Sequence, residues 1–102
     1  MPELVPHLPE GSTILFNHLS DEETPSQTIE DLFAVTLPGP HREYIDVGWY
    51  AEADGTGEYV VQVFAEGSDE PLEPPLAIRD VHHAVRVIEL LAVEYTQAPA
   101  AV

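Results

Sequence analysis

Cysteine is absent from this 102-residue chain. Disulfides, thiolate chemistry and cysteine-bearing zinc sites are therefore excluded. Lysine is absent too, and three arginines face nineteen carboxylates, for a formal net charge of −16. A surface so poor in cations cannot neutralise phosphates, which excludes direct nucleic-acid binding. Anionic membranes are disfavoured for the same reason, and no apolar run is long enough to span a bilayer. The first residues, Met1-Pro2-Glu3-Leu4-Val5-Pro6, have neither the basic region nor the apolar core of a secretory signal. Together with the missing cysteines, this makes the cytoplasm the expected location.

Catalytic patterns are equally scarce. There is no glycine-rich phosphate loop and no nucleophile-elbow pattern around Ser12, Ser20, Ser26 or Ser68. The carboxylates Asp21, Glu22 and Glu23 are contiguous, so nothing makes them converge on a substrate. The expectation is a non-enzymatic chain with no cofactor.

What is present is a core. Hydrophobic residues make up 44% of the chain, enough for a folded domain rather than an acidic disordered segment, and the length suits one domain. The organising stretch is Tyr44 to Ala65, two β-rich runs around Glu52-Ala53-Asp54-Gly55-Thr56-Gly57. Asp and Gly at that place mark a hairpin, with Gly55 and Gly57 free to take positive φ. Ile45, Val47, Trp49 and Ala51 alternate with Asp46, Gly48 and Glu52, so one face is buried. Tyr44, Tyr50 and Phe64 then fall on the outer face beside Asp46, a composition suited to a protein interface.

Around the hairpin, Met1 to Gly11 carries Pro2, Pro6 and Pro9 and reads as an extended arm with a terminus's freedom to move. In Ser12–Leu19, strand and helix readings compete, and Thr13, Ile14 and Phe16 favour a strand. Residues 25–33 show the same conflict. Thr24-Pro25-Ser26-Gln27 resembles a capping box, but Phe33, Val35 and Leu37 alternate, so a strand is expected over Ile29–Leu37. A proline-rich acidic loop, Glu66 to Pro75, leads to a short edge strand at Leu76–Ile78. Asp80 then caps a helix whose Val81, Ala84, Val85, Ile88, Leu91, Ala92 and Tyr95 form one apolar stripe.

The expected fold class is α+β: a small antiparallel sheet of three to four strands, central hairpin 44–65, with a C-terminal helix packed on one face. Residues 1–11 form the arm, 12–96 the single domain and 97–102 a flexible tail. Double-stranded-RNA-binding domains share part of this element order. They need basic residues at the helix start, where this chain has Asp80, His82 and His83, so no family is assigned.

Three local motifs have simpler explanations. His82 and His83 point about 100° apart on a helix, which is poor for sharing one metal ion. Glu52 to Glu58 superficially resembles a calcium loop, but the twelfth position is Val63 rather than a bidentate Glu. Pro71-x-x-Pro74-Pro75 lacks a flanking arginine and reads as a rigid loop.

The charge therefore carries the functional expectation: a small interaction protein whose acids steer it to a basic protein partner, as an inhibitor or nucleic-acid charge mimic. The candidate partner-binding residues are Asp21, Glu22 and Glu23, then Asp69, Glu70 and Glu73, with Tyr50 as an anchor. Arg86 and Leu90, with Val93, form a second patch suited to a partner or to a homodimer. Two competing readings are a housekeeping domain with an acidic surface adapted to high salt, and a small-ligand binder or enzyme with a pocket near Trp49.

Overall fold

The computed structural model describes residues 4–20, 27–38, 42–52 and 56–96. Among the described residues five strands, β1 (Thr13–Asn17), β2 (Ile29–Thr36), β3 (Tyr44–Ala51), β4 (Gly57–Phe64) and β5 (Leu76–Ile78), precede one helix, α1 (Val81–Thr96). The strands pair in sequence order, β1-β2-β3-β4-β5, every neighbour antiparallel. The sheet is thus a meander, one strand or two wider than the three to four expected. Of the segments with competing readings, 12–19 contains β1, and β2 begins within 25–33. For β2 the competition was decided by pairing, since both its neighbours offer open ladders.

Register fixes the two faces of the sheet. Ile45, Val47 and Trp49 of β3 lie opposite Val63, Val61 and Tyr59 of β4, and Val47 and Ile45 lie opposite Phe33 and Val35 of β2. All eight side chains are buried, joined by Ile78 from β5 and by Val81, Ala84, Ile88, Leu91 and Ala92 from α1. The helix begins where the Ala84 N–H donates to the Asp80 carbonyl at 2.9 Å. Each large apolar side chain buried this way contributes roughly 1.5–3 kcal/mol before entropy is counted.

The helix packs on β4 and β5, which leaves the β1 side of the same face to the N-terminal arm. Leu4 and Leu8 pack against the core and Pro6 is buried. The Leu4 N–H donates to the Leu19 carbonyl at 2.9 Å, the Asn17 side-chain amide donates to the Leu4 carbonyl at 2.9 Å, and the His7 N–H donates to Glu89 Oε2 on the helix at 2.8 Å. The expected freedom of the arm is therefore corrected over Leu4–Leu8: proline keeps it out of the ladder, but its leucines have a core to cover.

Gly57 also differs from expectation. It lies inside β4, and the positive φ values among the described residues belong to Gly11, Arg42 and Gly67. Its reason is space: a β-carbon there would stand 2.4 Å from Trp49 Cζ2. The expected turn residues Asp54 and Gly55 lie outside the described residues. Among the described residues, no helix is long and apolar enough to cross a membrane.

Candidate interaction surface

A helix and an arm cover one face of the sheet. The other face carries Phe16, Thr36, Tyr44, Asp46, Tyr50, Glu58, Val60, Gln62 and Phe64, all partly or fully exposed. Tyr44 and Phe64 are cross-strand partners, and their rings stack with centroids 5.1 Å apart and planes 19° apart. Such an offset pair stabilises the sheet beyond its area burial. Phe16 and His18 make a second stack, at 6.1 Å.

Six residues along β3, Tyr50 is 40% exposed. A β-carbon on Gly48 would lie 3.1 Å from Tyr50 Cε2 and 2.9 Å from the Glu30 carbonyl oxygen. The tyrosine ring and the β2 backbone thus crowd over the bare Gly48 backbone, which is buried although it points to the open face. The register of β2 against β3 shifts between Ile29 and Phe33. Glu30 and Asp31 lie within that irregular part of β2, of the kind that re-aims side chains, and their charges act on Tyr50.

The resulting field is one-signed. Burial, then the charge of Asp31, raises the Asp46 carboxyl above the usual carboxylate range. Burial, then the charges of Glu30, Asp46 and Asp31, raises the Tyr50 phenol. Each arginine is paired: Arg79 with Glu58 at 3.9 Å at the border of this face, Arg42 with Glu66 at 3.6 Å and Arg86 with Glu89 at 3.5 Å. Each arginine is exposed, and the pairs are of modest energy.

Comparison with protein-family models, with curated proteins and with solved structures finds no match.

The sequence-derived candidates do not form one cluster. Asp21, Glu22 and Glu23 lie outside the described residues. Asp69 and Glu70 are exposed in the β4–β5 loop, where the Glu70 N–H donates to Ser68 Oγ at 3.2 Å. Glu73 accepts a hydrogen bond from the Tyr95 hydroxyl and so ties that loop to the helix end. Arg86 and Leu90 lie on the solvent side of α1, with Leu90 55% exposed, on the layer opposite Tyr50. Alternation along β3 and β4 points to Tyr44, Asp46, Tyr50 and Phe64 together. Glu30 and Asp31 escape sequence reasoning, because the β2 irregularity has no local signature.

Other features offer less chemistry. A shallow cleft of about 260 Å³ is lined by Gly11, Thr13, Thr36, Leu37, Pro38 and Arg42. It sits at the end of the sheet away from Trp49, which is buried against Tyr59 with ring centroids 4.7 Å apart. Among the described residues, no three histidine or carboxylate side chains come together as metal ligands. His82 and His83 are both exposed in the first turn of α1.

Proposed function

We propose that this chain is a small non-enzymatic interaction protein that binds a basic protein, acting in the cytoplasm as an inhibitor or as a mimic of nucleic-acid charge. The observation that carries this reading is the disposition of charge. Each arginine already sits beside a carboxylate, and the open sheet face keeps Glu30, Asp31 and Asp46 around Tyr50. The remaining acidic surplus attracts a cationic surface over long range and speeds encounter. A partner that handles nucleic acid presents such a surface.

The experiment is capture from a cell lysate at low salt with the full chain as bait. The reading expects one dominant basic protein, released by high salt through screening and displaced by duplex DNA. Capture of nothing basic at low salt overturns it. The alternative of an acidic surface adapted to high salt predicts the reverse response to salt, a folded state that gains stability as salt relieves self-repulsion.

A further inference from the structure

We propose that Tyr50, with Glu30, Asp31 and Asp46, forms a receptor for an arginine side chain presented by the basic partner. The inference rests on the functional reading above and adds to it a place and a side-chain chemistry.

A guanidinium offers two kinds of contact. Its planar face stacks on an aromatic ring, and its edge donates hydrogen bonds in a fork that matches a carboxylate. Tyr50 supplies the ring. Because Gly48 has no side chain, the ring packs down toward the sheet instead of standing off it, and 40% of the residue stays open to solvent. The carboxylates are supplied from two directions, Asp46 from four residues back along the same strand and on the same face, and Glu30 and Asp31 from the irregular part of β2.

The charges there repel one another. Asp31 opposes ionisation of Asp46, and all three carboxylates oppose ionisation of Tyr50. An incoming cation relieves that repulsion, so the face is complementary to positive charge and self-docking of a second copy is opposed. The nearest engaged acid on this row is Glu58, opposite Tyr50 and already beside Arg79. That pair closes the β5 side of the patch and leaves the β2 side as the receptor.

A lysine ammonium would meet the same carboxylates, but it has no flat face for the ring and no fork. The site therefore discriminates arginine from lysine, which a diffuse acidic surface does not. The probes are nona-arginine and nona-lysine peptides, with binding to the intact chain followed by fluorescence anisotropy at low salt. The wild-type chain is expected to bind nona-arginine about two- to fivefold more tightly than nona-lysine, the range of an exposed cation–π contact. Tyr50→Ser should bring that ratio close to one, Tyr50→Phe should keep it, and Asp46→Asn should weaken both peptides. Asp69→Asn with Glu70→Gln, which removes two loop charges, should weaken both peptides while keeping the ratio. Circular dichroism confirms that each variant is folded, and Tyr50→Leu, with the same expected loss of the ratio, replaces Tyr50→Ser if that variant is not. Equal binding of the two peptides, or a ratio indifferent to Tyr50→Ser, overturns the arginine receptor and leaves the general reading standing. Failure of both peptides to bind overturns both readings.

Discussion

Tyr50 packs over Gly48, so closely that a β-carbon at position 48 would stand 3.1 Å from the ring. The same β-carbon would lie 2.9 Å from the Glu30 backbone oxygen, which cannot swing away as a side chain does. Gly48→Ala should therefore destabilise the fold by about 1–3 kcal/mol, the usual cost of overpacking. It should also lift Tyr50 from the sheet. Urea unfolding checks the first effect, and a change in tyrosine quenching checks the second. A variant as stable as wild type would mean that β2 does not approach β3 here.

Asp46 leads to an opposite expectation. Its carboxyl is raised by burial and then by Asp31, so the folded state holds the proton more tightly than the unfolded chain does. Its contribution is favourable below the unfolded value of 3.8 and is lost as pH rises through the higher folded value. At neutral pH the ionised group costs stability. Asp46→Asn should raise stability at pH 7 by up to about 1 kcal/mol, the scale of a like-charge pair across a sheet. The gain should shrink toward pH 3. Unchanged or lower stability at pH 7 would contradict the placement of Asp31 beside it. A residue kept at a cost to stability fits a binding role.

Tyr95 marks the alkaline limit of the fold. Burial, the hydrogen bond to Glu73 and the charges of Glu73, Glu94 and Glu43 push its phenol up to about 12. The unfolded phenol ionises near 10, so between these values the unfolded chain binds fewer protons and stability falls as pH rises. Wild-type chain should lose stability across pH 10 to 12. Tyr95→Phe should lose less over that range and should start about 1 kcal/mol lower at neutral pH, for want of the hydrogen bond. Parallel pH profiles for the two chains would contradict the assignment.

The arm should behave as part of the core. Removing residues 1–8 exposes what Leu4, Pro6 and Leu8 cover and frees Glu89 from the His7 N–H. A loss on the order of 2–4 kcal/mol is expected, since two leucines are partly buried there. Denaturant unfolding of the truncated chain measures it. No loss would show the arm to be an ornament on a domain complete from residue 12.

Much of this architecture was legible in the sequence, and the reason is periodicity. Alternation of Ile45, Val47 and Trp49 gives the buried face, and the spacing of Val81, Ala84, Ile88, Leu91 and Ala92 gives the helix stripe. The same alternation puts Tyr44, Asp46, Tyr50 and Phe64 on the open face. What could not be read was set by neighbours distant in sequence. The arm's docking depends on Leu19 and Glu89. Glu30 and Asp31 reach Tyr50 through a register shift that only the β2–β3 pairing creates. Glu73 reads as a loop acid in the sequence, whereas in the fold it accepts a hydrogen bond from the Tyr95 hydroxyl, 22 residues away.

The most direct test of the central claim is a ¹H–¹⁵N correlation spectrum of the labelled chain titrated with nona-arginine at low salt. The account predicts that the largest amide shifts map to Gly48, Tyr50, Asp46 and the Glu30–Asp31 stretch, with the exposed helix positions Leu90 and Val93 unmoved. Shifts spread evenly over the acidic loops, or centred on Asp69 and Glu70, would contradict it.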